Sequence, residues 1–95
     1  MSAPCRLAMI HSVPDYDRWA ATVADVRRHF PGLIRRSVHR SVDDPNEVMV
    51  ELELESVDVA RALMQNPAFR EVLDRAGIDF YPPVFLGEQV DDLSI

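Results

Sequence analysis

Asp43-Asp44-Pro45-Asn46-Glu47, running directly into Val48-Met49-Val50-Glu51-Leu52-Glu53-Leu54-Glu55, is the stretch on which the fold turns. From Val48 onward the alternation is strict. Val48, Val50, Leu52 and Leu54 lie on one side and Met49, Glu51, Glu53 and Glu55 on the other, the pattern of a strand with one buried face. The five residues before it are turn chemistry: two aspartates, a proline and an asparagine. Upstream, Leu33 to Val42 alternates as well, with Ile34, Val38 and Val42 on a side interrupted by Arg36 and Arg40, and Arg35, Ser37, His39 and Ser41 opposite. Two strand-like runs joined by about five turn residues read as a β-hairpin. Pairing Val42 with Val48 sets His39 against Glu51 and Arg35 against Glu55, opposite-charge pairs that favour this register.

Working outward, Cys5 to Ser12 interleaves Cys5, Leu7 and Met9 with Arg6, Ala8 and Ile10, a strand apolar on both faces and therefore central. In Val13-Pro14-Asp15-Tyr16-Asp17-Arg18-Trp19, Asp15 is placed to cap a helix. That helix carries Tyr16, Trp19, Ala20, Val23, Val26 and Phe30 at helical spacing until Pro31-Gly32 ends it. After the hairpin, Ser56 caps a helix with Val59, Ala60, Leu63 and Met64 inward. Asn66-Pro67 opens a further helical piece with Phe69, Val72, Leu73 and Ala76 on one face, closed by Gly77. Beyond Tyr81-Pro82-Pro83 a final strand carries Val84, Leu86 and Val90 on one side and Phe85 on the other. The order βαββαβ predicts an α+β, ferredoxin-like domain: a four-stranded antiparallel sheet with helices on one face. One domain spans residues 1–95, with 91–95 as a tail.

Composition narrows the function. The chain has 95 residues and a net charge of −6, with 16 acids against 10 bases, all arginine. The acidic balance argues against a broad nucleic-acid-binding surface. The lack of lysine excludes Schiff-base catalysis. No segment approaches the ~20 apolar residues of a membrane helix, so no membrane role is expected. A secretory leader is not apparent, and the lone Cys5 offers no internal disulfide, so the expected setting is cytoplasmic.

The junction residues Val13-x-Asp15-Tyr16-Asp17-x-Trp19, Asp43-Asp44-Pro45-Asn46-x-Val48 with Glu53, and Asn66-Pro67 with Arg70-Glu71 resemble the antibiotic biosynthesis monooxygenase-like superfamily, over roughly residues 7 to 90. The resemblance implies a dimeric α/β barrel, in which two sheets meet through their helix-free faces. That face would hold Leu7, Met9, Met49 and Phe85 beside Glu51, Glu53 and His39. It further implies a small, mostly apolar cavity between sheet and helices, and small-molecule metabolism: a cofactor-independent monooxygenase, cyclase or isomerase acting on an aromatic or polyketide-like compound. The alternative is a non-catalytic dimeric module that binds a small molecule or assists a partner. The haem-degrading branch uses an asparagine on the first strand and a tryptophan and histidine near the second helix. This chain has none of them there. No haem, flavin or metal is expected, and no catalytic residue of the quinone-forming branch can be carried over.

The candidates therefore come from residue chemistry. His11, at the end of the first strand, and Tyr16 could form a catalytic pair at a cavity mouth, with histidine as a base near neutral pH. Trp19, Arg36 and Arg40 could bind substrate, the two arginines holding a carboxylate or phenolate. The competing reading makes Tyr16 and Trp19 core aromatics and lets the arginines of an edge strand reach for water. His39 opposite Glu51 could be an acid–base pair, and His29 would complement a helix end. Glu51, Glu53 and Glu55 lack the histidine partners of a metal site. Cys5 has no neighbour that would lower its pKa.

Overall fold

The computed structural model describes residues 4–24, 30–75 and 84–94. Four strands, β1 (Cys5–Ser12), β2 (Leu33–Arg40), β3 (Glu47–Leu54) and β4 (Val84–Gly87), form one antiparallel sheet in the order β2-β3-β1-β4. Three helices among the described residues, α1 (Tyr16–Val23), α2 (Val57–Gln65) and α3 (Pro67–Arg75), complete a ferredoxin-like α+β fold. The helix starts are those the caps specify. Asp15 accepts from the amides of Asp17 and Arg18, Ser56 from Val59, and Asn66 from Ala68, with Pro67 at the first helical position. The expected run of the first helix through Val26 falls on residues 25–29. It lies outside the described residues, as do His29, Ala76, Gly77 and Tyr81-Pro82-Pro83.

One side of the sheet is packed under the helices. Cys5, Leu7 and Met9 of β1 and Val48, Val50, Leu52 and Leu54 of β3 are all buried there, against Trp19 and Val23 of α1, Ala60 and Leu63 of α2, and Phe69, Val72 and Leu73 of α3. This corrects the expected placement of Leu7 and Met9. They belong to the helix-covered core, and the helix-free face carries Arg6, Ala8 and Ile10 instead, beside Met49, Glu51, Glu53, His39 and Phe85. A strand apolar on both sides does not announce which side the helices take.

The hairpin register also differs. Arg40, not Val42, pairs with Val48, so His39 lies opposite Met49 and Arg35 opposite Glu53. A slip of two residues keeps every side chain on its face, so alternation alone cannot separate the two registers. Val42 is left in the loop, 99% exposed. At the other end of β2 a bulge at Ile34 places Leu33 opposite Leu54 and turns Ile34 outward. β4 stops at Gly87, so Val90 lies beyond the strand, and residues 88–94 carry no helix or strand.

Two contacts fix the ends of the covered layer. Gly32 adopts φ +89° and its carbonyl accepts from the Glu55 amide at 3.0 Å, and a Cβ there would stand 2.5 Å from a Val59 methyl. Asn46 ties the hairpin to the β1–α1 turn: its carbonyl accepts from the Val13 amide at 2.7 Å and its Oδ1 from the Tyr16 amide at 3.3 Å.

Candidate functional site

The covered face of β1 reads Cys5, Leu7, Met9, His11, so its apolar stripe ends in an imidazole opposite Val48. Five residues after His11 α1 begins, and its amphipathic face returns Trp19 over the strand end. The indole meets His11 edge-on at 6.1 Å and 66° between ring planes. Between them lies a cavity of about 40 Å³. Its floor is Met9, Val50 and Leu52, and its walls are Trp19 and Val23 of α1 and Phe69, Val72 and Leu73 of α3, with Arg36 reaching in from the edge strand. The walls are almost wholly apolar, and the space accommodates little more than a water-sized molecule.

Beside Arg36, His11 is the other polar side chain in this lining. Both Nδ1 and Nε2 are shielded from solvent and neither has a hydrogen-bond partner among the described residues. Burial pushes its pKa below the ordinary histidine value, which favours the neutral ring. An unpaired buried polar group costs about 1–3 kcal/mol, so such a ring stores an unmet demand for a partner.

Arg36 pairs with Leu52 and so shares the covered side. Its Nη1 donates to the carbonyl of Val23, the last residue of α1, at 2.6 Å. The rest of the residue remains exposed at the sheet edge. Arg40, on the same side, serves other partners. Its guanidinium lies 3.9 Å from the centre of the Tyr16 ring and its Nε donates to the Pro45 carbonyl. Tyr16 is half-buried and packs on Trp19 at 5.9 Å. The structure thus brings His11, Trp19 and Arg36 to one cavity, sets Tyr16 one ring outward, and keeps Arg40 outside the lining.

The other candidates lie elsewhere. His39 faces the helix-free side in an open depression with Arg6, Arg35, Ser37, Glu51 and Glu53, where Arg6 and Glu51 pair at 3.4 Å. Cys5 is buried, and burial, then the charge of Glu88, raises its pKa and so disfavours the thiolate. Among the described residues no group of three His, Cys, Asp or Glu could hold a metal ion, and no helix is long and apolar enough to cross a membrane. The role of Asn46 is not visible in its turn signature, because any turn-forming residue would satisfy that pattern.

No family model and no curated protein sequence matches the chain. Solved structures do match. A protein of Bordetella bronchiseptica, named a "putative antibiotic biosynthesis monooxygenase", superposes with a TM-score of 0.76 at 22% identity, covering 94% of this chain and 99% of its own. SnoaB, a cofactor-independent oxygenase from Streptomyces nogalater, superposes at 0.68 with 17% identity, covering 95% and 93%. The chain has the fold of the antibiotic biosynthesis monooxygenases. A further structure of that name, from Caulobacter crescentus, gives 0.73 at 14% identity over 95% of this chain and 92% of its own. At such identities the likeness is one of architecture, and residue roles must come from this chain's own geometry.

Proposed function

We propose that the chain acts on a small aromatic or polyketide-like compound as a cofactor-independent monooxygenase, cyclase or isomerase, with His11 as the proton acceptor. The observation that carries this is the half-buried His11, whose two ring nitrogens are shielded from solvent at an apolar cavity with no partner among the described residues. All three reaction types can begin by taking a proton from an activated C–H or O–H group, and a neutral imidazole suits that task near neutral pH. Trp19 supplies a flat wall for an aromatic ring, and Tyr16 supports Trp19 from outside. The name SnoaB carries, cofactor-independent oxygenase, lends the reading support by likeness of fold. A cytoplasmic setting fits the buried free thiol of Cys5.

The test is proton exchange. With an anthrone as probe, in heavy water, the native chain exchanges the activated methylene protons and His11→Phe slows exchange by about 100-fold or more. Equal exchange in both would return the cavity to a second reading, that of a non-catalytic binding module. Its small volume, filled from the sides by Trp19 and Phe69, favours that reading.

We further infer that the working form is a homodimer joined through the helix-free face. Ile10 is 58% and Phe85 70% exposed there, beside Met49 and a mixed set of charges that a second copy related by a two-fold axis could meet.

A further inference from the structure

We infer that the ligand of the His11 cavity is an acidic aromatic compound bound as its anion, with its charged oxygen replacing the Val23 carbonyl on Arg36. The inference rests on the cavity proposed above as the site, but not on catalysis there. Arg36 is the one residue that lines both the inner cavity and an outer groove of about 250 Å³ bounded by Ala24, Leu33, Ile34 and Arg35 among the described residues. Its side chain therefore stands between a dry, apolar chamber and open water. Among the described residues one hydrogen bond, to a neutral acceptor, holds it in place.

Charge decides which ligand can move it. A carboxylate or phenolate adds opposite charge to the bond, and a carboxylate can also meet the guanidinium fork with two oxygens, so an anion can take Arg36 from Val23 where a neutral molecule gains nothing by the exchange. Displacing the side chain joins chamber and groove into a space near the roughly 300 Å³ at which small-molecule sites begin. An aromatic body can then lie against Trp19 and Phe69, with His11 at the far end as the remaining unmet polar group. A ligand with an anionic oxygen at one end and a hydrogen-bonding or ionisable group at the other meets both demands.

The experiment uses Trp19, the chain's only tryptophan, as the reporter. Its indole N–H resonance is followed by NMR while benzoate, or the uncharged isostere benzamide, is titrated in. The expected result is that benzoate shifts the signal at concentrations about 10-fold or more below benzamide, that Arg36→Met removes this preference, and that Arg40→Met keeps it. Equal affinity for the two probes in the native chain overturns the inference, and so does a preference that survives Arg36→Met or a Trp19 signal that neither probe moves. The native-chain contrast alone decides the matter if Arg36→Met does not fold. His11→Phe separates the two proposals: if it retains the benzoate preference while the native chain shows no proton exchange, the anion site stands and the catalytic reading falls.

Discussion

The two faces of the sheet are built from the same four strands and obey opposite rules. Under the helices nearly every position of the two central strands is apolar and buried, Leu7 and Leu54 completely so, and the polar exceptions are His11 at one strand end and Arg36 and Arg40 on the edge strand. On the bare side acids and arginines alternate with exposed Ile10 and Phe85. The difference teaches where to look for function. A charge on the bare side is ordinary, because water or a partner can answer it. A polar ring with no partner on the covered side is an anomaly that needs a reason.

Substitutions that treat the two faces alike should therefore give unlike results. Leu7→Ala removes a fully buried side chain beneath the helices and should cost about 2–5 kcal/mol in urea denaturation. Phe85→Glu, on the bare face, should leave monomer stability within about 0.5 kcal/mol while abolishing association in sedimentation. A variant that unfolds at Phe85 and tolerates the change at Leu7 would invert the two faces.

A smaller contrast uses the two described glycines that border other groups. Gly32→Ala must hold an L-residue at φ +89° and push its Cβ into Val59 of α2, so a loss of about 1–3 kcal/mol is expected. The nearest atoms to a Cβ at Gly87 are those of the Phe85 ring, which is 70% exposed on the bare face and free to turn away, so Gly87→Ala should change the melting temperature little. Equal losses at the two would mean that the bare face is packed as tightly as the covered one.

Much of this was legible beforehand, and the physical reasons for the rest are specific. The alternation of Val48 to Leu54, the caps Asp15, Ser56 and Asn66, and the element order are local features, and they specify the fold. The face taken by Leu7 and Met9 was not legible, since β1 is apolar on both sides and only packing chooses. The register of β2 escaped because a two-residue slip preserves every face, and the Ile34 bulge leaves no mark in composition. At the site, His11, Trp19 and Arg36 were named from their chemistry, and the fold places them around one cavity. Arg40 was grouped with Arg36 by spacing along one strand, but Tyr16 and the Pro45 carbonyl engage it instead. The walls Val72 and Leu73 read only as helix packing.

The smallest expected effect is on acid stability. Because burial lowers the folded-state pKa of His11, the unfolded chain binds the extra proton first as pH falls. The stabilising contribution is fully present above the ordinary histidine pKa and is lost as pH drops below it toward the folded value. His11→Phe should flatten that part of the stability–pH curve. A variant whose curve keeps the native shape there would remove His11 as the source of the dependence.

The most direct measurement is the titration of the His11 ring itself, followed by NMR of the imidazole nitrogens. An unpartnered, desolvated ring should titrate below about 6.5, carry a neutral tautomer at pH 7, and show no signature of a strong hydrogen bond at either nitrogen. A His11 that titrates at or above that value, or whose nitrogens are held by a partner in the free protein, would contradict the central claim that the cavity keeps a neutral base waiting for a ligand.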